Sequence, residues 1–255
     1  MKKDLLLVNP PITLEERYGS FASVGSQAPP LGLCYLAASA RKLGYSVQII
    51  DAPALNLDLS HTTEEIVQTG AELIGLTAST VSIYRASELA KAIKESGVKA
   101  PVIIGGPHVS SLPQETLQKF KELDLGVINE GEFTVPEIIS CYKEGRNLGD
   151  IDGIVYREGE KVVLSPPRKN IEDLDTIPYP AWDLLPYLPK HYKPAPHSYL
   201  RLPSSSLMSS RGCNGTCTFC ARPFMGEKYR AHSAAYTLGM IEHLVRYYGI
   251  KDIMF

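Results

Sequence analysis

The sequence has no run of the ~18–20 apolar residues that a membrane-spanning helix needs. Its N-terminal stretch, MKKDLLLVNPP, carries two lysines and a short apolar run, but Asp4 interrupts it and Pro10 and Pro11 end it. No signal-peptide core forms, so residues 4–8 read as a first strand and the cytoplasm is the expected compartment. Charge of one sign is lacking as well: 26 basic against 28 acidic residues leave a formal net charge of -2, with no overall field to draw nucleic acid or an anionic membrane surface. Cysteine is scarce, five in 255 residues, and an odd count without a secretion signal argues against a disulfide framework. Three of the five fall within RGCNGTCTFC (211–220), and metal binding is the better reading of such a cluster. Hydrophobic residues are plentiful at 44%, enough at this length for one large domain or two modest ones.

From Met1 to about Gly145 short apolar runs alternate with helical patterns. Strands are predicted at DLLLV (4–8), VQII (47–50), LIGLT (73–77), PVIIG (101–105) and GVI (126–128). They are β-branched and apolar on both faces, as strands of a parallel sheet covered by helices on each side should be. Among the helices, LGLCYLAASARKLG ends at Gly44, a natural C-cap, and Pro113 suits a first helical turn. Thr62 with Glu65, and Thr134 with Glu137, have capping-box spacing. Ile83, Ala86, Leu89, Ala90 and Ile93 form one apolar stripe. The class is α/β, with a doubly wound, Rossmann- or flavodoxin-like parallel sheet over residues 1–145. Ligands of such sheets bind at the carboxyl ends of the strands. Those ends are NPP (9–11), DAP (51–53), TAST (77–80), GGPH (105–108) and EGE (130–132).

Over residues 146–205 the periodicity is lost. GIVYREGEKVVLSPP reads as a hairpin turning at Glu158-Gly159-Glu160, and TIPYPAWDLLPYLPKHYKPAP as a proline-rich connector holding the only tryptophan, Trp182. In residues 206–255, SLMSS (206–210) suits a strand, the cysteine loop follows, SAAYTLGMIEHLVRYYG (233–249) is a helix and KDIMF begins another strand. One βα unit plus a terminal strand cannot close a barrel or bury both of its faces. The segment is therefore expected to be the front of a longer domain.

Cys213, Cys217 and Cys220 are spaced C-x3-C-x2-C. A structural zinc site would want a fourth ligand, which Cys141, Cys34 or His232 could supply. A chance grouping of packing cysteines fits poorly with a polar, glycine-bearing loop. A four-iron cluster held by three thiolates leaves one iron open to a ligand. Here CNGTCTFC resembles the fingerprint of the radical S-adenosylmethionine superfamily, C-x3-C-x-aromatic-C, with Phe219 in the aromatic place. The resemblance implies a [4Fe-4S] cluster on Cys213, Cys217 and Cys220 whose open iron chelates S-adenosylmethionine. Reductive cleavage would then give methionine and a 5'-deoxyadenosyl radical. It also implies a loop placed after the first strand of a parallel βα barrel, with Phe219 beside the adenine, and a reductant such as flavodoxin or ferredoxin.

The first region is similar to the cobalamin-binding domain that precedes the radical domain in one large subgroup. The likeness runs through LLLVNPP, PPLGLCYLAASARKLGYSVQIIDA, IGLTAST, VIIGGPHVS and GVINEGEFTVPEII, in that order, and on through IPYPAWDLLP to the cysteine loop. Gly105, Gly106 and Gly131 would let backbone approach the cofactor's nucleotide tail, although glycine pairs also form ordinary turns. Thr77, Ser79 and Thr80 would offer hydroxyls, and His108 and Glu132 are further candidate contacts. One departure stands out: VNPPITLEERYGSFASVGSQ has no histidine to replace the cofactor's own base on cobalt. Arg211 and Arg222 flank the cysteines but read as solvated loop residues, and Cys34 and Cys141 read as packing residues. The resemblance implies a cobalamin-dependent radical enzyme that methylates, cyclises or rearranges an unactivated carbon of a small-molecule or natural-product-like substrate. The alternatives are a non-catalytic corrinoid-binding fragment, or a flavodoxin-like nucleotide-binding domain that leaves the cysteines unexplained.

Overall fold

Alternation along the first strand sets the layers: Leu5 and Leu7 turn to one buried cluster, Leu6 and Val8 to another on the opposite face. The computed structural model describes residues 2–220, 226 and 228–255. Its N-terminal part runs β1 (Leu5–Asn9), α1 (Leu14–Tyr18), α2 (Leu31–Lys42), β2 (Val47–Asp51), α3 (Ala52–Leu55), α4 (Leu59–Thr69), β3 (Ile74–Thr77) and α5 (Ile83–Glu95). It continues through β4 (Val102–Gly105), α6 (Pro107–Ser111), α7 (Pro113–Lys119), β5 (Leu125–Val127), α8 (Thr134–Glu144), β6 (Ile154–Glu158) and β7 (Lys161–Leu164). The strand order is β2-β1-β3-β4-β5-β6-β7, parallel through β5 and antiparallel for the last two. All five expected parallel strands form, because each buries side chains on both faces and only a sheet covered on both sides can absorb them. Helices α2 and α8 cover one face, and α4, α5 and α7 the other. The α5 stripe of Ile83, Ala86, Leu89, Ala90 and Ile93 is buried throughout.

Several local expectations differ. Thr62 does not start a helix: Asp58 caps α4 by accepting from the His61 amide at 2.8 Å, and Thr62 is buried one turn in, its hydroxyl donating to the Asp58 carbonyl. Asp58 competes for the cap with a charged acceptor, which a free N-terminal N–H prefers. Nor do Thr134 and Glu137 form a box: Phe133 is the cap residue, and Glu137 is drawn away by Arg168. The hairpin turns as expected, with Glu158 opposite Lys161, but it is hydrogen-bonded into the main sheet through β5. Buried Ile154 and Val155 require that attachment.

The remaining elements are α9 (Leu188–His191), β8 (Ser204–Ser206), β9 (Ser210–Arg211), β10 (Arg230–Ala231), α10 (Ala234–Tyr248) and β11 (Asp252–Met254). The strand expected at 206–210 lies slightly earlier, where β8 pairs in parallel with β11; Leu207 adds one more bond to the Met254 carbonyl before the chain leaves the ladder. Helix α10 is capped by Ser233 and ended by Gly249 in the left-handed region. Met240 and Leu244 of α10, together with Trp182 and Leu188 of the connector, join the same buried cluster as α2 and α8. The two regions therefore share a core along one face of the sheet. No helix of the described residues is long and apolar enough to cross a membrane.

Candidate functional site

Leu7, Gly75 and Ile103 stand in register across β1, β3 and β4. A Cβ at Gly75 would lie 2.8 Å from Leu7 Cδ2 and 3.5 Å from Ile103 Cγ1, so this row has room only because its middle residue has no side chain. An isolated glycine within a strand pattern is the sequence signal for such a close approach. Above this row a cavity of about 310 Å³ opens towards the carboxyl ends of the strands. Leu33, Tyr35 and Leu36 of α2 form one wall, and the strand ends Thr77, Gly105, Gly106, Asn129, Glu130, Gly131 and Glu132 form the rim. Gly106 has φ +103° and caps the short helix α6; a Cβ there would sit 2.7 Å from the Ala78 carbonyl oxygen. At Gly105 a Cβ would meet nothing nearer than the Leu76 oxygen at 4.0 Å.

The remaining wall comes from the other end of the chain. Met208, Ser210, Arg211 and Gly212 close the cavity, and Cys213 follows directly. The Arg211 side chain is only 11% exposed here, contrary to its expected place in solvent. Its guanidinium lies 5.3 Å from the centroid of the Tyr35 ring and donates to Glu130 at 3.1 Å and to Glu132 at 2.5 Å. Arg230 donates to both oxygens of Glu130 at 2.9 Å and to the Ile171 carbonyl at 2.5 Å. The Ile171 amide donates to Glu130 at 2.7 Å. Burial by itself would raise the Glu130 carboxyl, but these donors, Arg230 foremost, hold it below the ordinary carboxylate value. Burial likewise opposes charge on Arg211, and the two glutamates reverse that and raise its pKa. Burial pushes the Tyr35 hydroxyl up to about 12.

Of the expected contacts, Thr77, Gly105, Gly106, Gly131 and Glu132 line this cavity. Ser79 does not; it borders a second, polar cavity of about 320 Å³ with Asn9, Arg17 and Gln27, and its hydroxyl lies 3.2 Å from that of Ser82. Thr80 and His108 line neither cavity and pair with each other at 3.2 Å, His108 being buried. Beside the polar cavity, buried Asp51 accepts from Tyr192 at 2.7 Å and from Asn9 at 2.8 Å. This pins the connector to the strand ends through a contact that no local pattern marks.

Cys213, Cys217 and Cys220 are exposed on one loop. Gly215 sits between the first two: a Cβ there would lie 3.3 Å from Cys213 Sγ and 3.7 Å from Cys217 Sγ, and its amide donates to Cys213 Sγ at 3.3 Å. Among the described residues no three His, Cys, Asp or Glu side chains converge on one point as ligands of a single ion would. Cys34 and Cys141 are buried in α2 and α8, where burial raises both thiols, as packing residues rather than a fourth ligand. His232, the other candidate fourth ligand, turns Nδ1 to Asp175 at 3.0 Å and stacks on Tyr236 with centroids 4.2 Å apart. Phe219 is 91% exposed. Arg222 lies outside the described residues.

Residues 19–139 match the B12 binding domain family. The "Uncharacterized methyltransferase PH0819" of Pyrococcus horikoshii is 37% identical over 233 residues, 91% of this chain and 49% of its own length. The anaerobic magnesium-protoporphyrin IX monomethyl ester cyclase of Rubrivivax gelatinosus is 29% identical over 238 residues, 90% of this chain and 41% of its own. The chain thus spans about half the length of such relatives, or less. Two solved structures share the fold at 20% identity, each over 98% of this chain. One is the radical S-adenosylmethionine methyltransferase TsrM from Kitasatospora setae (TM-score 0.71, 46% of that chain). The other is the cobalamin-dependent S-adenosylmethionine radical enzyme OxsB with aqua-cobalamin and S-adenosylmethionine bound (TM-score 0.76, 33% of that chain). Residues 19–139 thus carry the match to the B12 binding domain family, and over 90% or more of its length the chain is similar to a methyltransferase and a cyclase and shares the fold of two S-adenosylmethionine radical enzymes.

Proposed function

We propose that the protein acts as a cobalamin-dependent radical S-adenosylmethionine enzyme that transfers a methyl group to an unactivated carbon of a small-molecule substrate, or cyclises or rearranges such a substrate. The observation that carries this reading is the composite wall of the cavity, in which the strand-end glycines of the B12-binding domain face Arg211 and Gly212 at the root of the cysteine loop. A corrinoid and a cluster bound in these places would be neighbours.

The residues fit both groups. The cavity is lined mainly by aliphatic side chains, which suit the flat aromatic base of a nucleotide tail, and by backbone left bare at Gly75, Gly105 and Gly106, which lets the tail approach closely. Thr77 and Asn129 at the rim offer polar contacts, and Ser79, Arg17 and Gln27 in the adjoining polar cavity suit a corrin's amides. Cys213, Cys217 and Cys220 would hold the [4Fe-4S] cluster, with Gly215 keeping the space between the first two sulfurs free of a side chain. When bound, the cluster with S-adenosylmethionine supplies a carbon radical and the cobalamin supplies a methyl group; the protein positions them and shields them from water. Phe219, exposed beside Cys220, is available to cover the adenine. We divide the chain into a cobalamin-binding region (1–145), a connector whose hairpin extends its sheet (146–205) and the start of a radical barrel (206–255), and we place the protein in the cytoplasm with a flavodoxin or ferredoxin as electron donor.

Replacing Cys217 with alanine tests the division of labour. Iron and sulfide retained after anaerobic reconstitution should fall to background, while hydroxocobalamin binding to the metal-free protein, followed by absorbance, should stay within about twofold of the metal-free parent, since Cys217 lies outside the cavity. Loss of both would sink the reading. A parent protein that binds the corrinoid but takes up no iron would leave a corrinoid-binding module.

A further inference from the structure

Arg211 and Arg230 face each other in the β9–β10 ribbon, and Cys213, Cys217 and Cys220 all lie in the segment between them. Like charges directly opposite in an antiparallel pair repel. A ribbon with two residues in each strand is too short to hold against that repulsion by its own ladder. The Glu130 carboxylate holds it instead, accepting from Arg211 and, through both oxygens, from Arg230, while the Ile171 amide fixes it from the connector. Glu132 takes the second arm of Arg211. All four charged side chains are at least 86% buried, so they form a closed group of two cations and two anions. Glu130 and Glu132 also border the cavity, with Gly131 between them.

We propose that Glu130 is a positioning residue that clamps the root of the cysteine loop to the wall of the cofactor cavity, so that filling the cavity orders the loop. The inference rests on reading the cavity as the corrinoid site. A ligand lying against residues 130–132 restricts the two carboxylates that hold Arg211 and Arg230, and the four side chains then have fewer arrangements in which the loop root can open. The cysteines would be presented in one geometry when the corrinoid is in place and in several when it is not.

Hydrogen exchange read by mass spectrometry on the metal-free full chain tests this, with and without saturating hydroxocobalamin. In the parent, hydroxocobalamin should slow exchange in peptides covering residues 211–220 by roughly tenfold. Glu130→Gln keeps the shape and loses the charge; at saturation its slowing should shrink to less than about twofold. Should that variant fold poorly because two arginines are left with one carboxylate, Glu130→Gln/Arg230→Gln restores the balance of charge, and its loop should exchange fast with or without the corrinoid. Parent-like slowing in either variant would overturn the clamp, as would a parent whose loop ignores a corrinoid that its absorbance shows to be bound. An absorbance unchanged by hydroxocobalamin would show that the cavity reading itself is wrong, and the clamp would fall with it.

Discussion

Gly105→Ala separates binding from folding. At this position the backbone is outside the left-handed region and a Cβ would meet only the Leu76 oxygen, at 4.0 Å. The free protein has room for the methyl, so the substitution should leave stability unchanged or raise it by about 0.4–1 kcal/mol through the lost freedom of the unfolded chain. The bound state has no such room if the cofactor tail lies against this strand end. A methyl forced into a filled contact costs about 1–3 kcal/mol, which lowers affinity by about 5- to 150-fold. Urea midpoints without ligand give the first quantity and absorbance titration with hydroxocobalamin the second. The urea midpoint should hold or rise while the affinity falls. An affinity within about twofold of the parent would refute the assignment of this cavity, and a lower urea midpoint would refute the reading of free space at Gly105.

Gly106→Ala should behave otherwise, because φ is +103° and the new Cβ would press on the Ala78 carbonyl; stability should fall by about 2–4 kcal/mol even without ligand, as a lower urea midpoint. Burial raises the Asp51 carboxyl, against the hydrogen bonds from Tyr192 and Asn9. A raised folded value means that the native state binds the proton more tightly, so stability is full below the ordinary carboxylate value of about 4 and declines as pH rises through the folded value. Asp51→Asn, which can still accept from Asn9 and donate to Tyr192, should flatten that decline in urea midpoints measured across pH; an unchanged profile would show that Asp51 is not its source.

The sheet was legible because burial on both faces leaves a strong local mark: five apolar runs, each a few residues long, separated by capped helices. Cap positions were less so. Asp58 stands four residues before Thr62 and Phe133 one before Thr134, and the spacing of a threonine and a glutamate does not say which residue leaves the helical conformation first. The glycines at 105, 106 and 131 are marked by their place at strand ends, whereas Gly75 lies inside a strand, where its packing against Leu7 and Ile103 leaves only a weak local sign. The charged group at the loop root was out of reach for a different reason. Glu130 meets Arg211 and Arg230 across 81 and 100 residues, and nothing local distinguishes a buried arginine from a solvated one. Taken alone, Arg211 reads as a solvated loop residue and Glu132 as one more candidate contact; the pairing that leaves their side chains 11% and 6% exposed follows no local pattern.

On the proposed function, the cysteine loop carries a cluster with one iron open to S-adenosylmethionine. The measurement that reaches it most directly is the electron paramagnetic resonance spectrum of the anaerobically reconstituted, reduced protein, recorded with and without S-adenosylmethionine. A four-iron signal whose shape changes when S-adenosylmethionine is added is the expected result. No cluster signal, or one indifferent to S-adenosylmethionine, would contradict it.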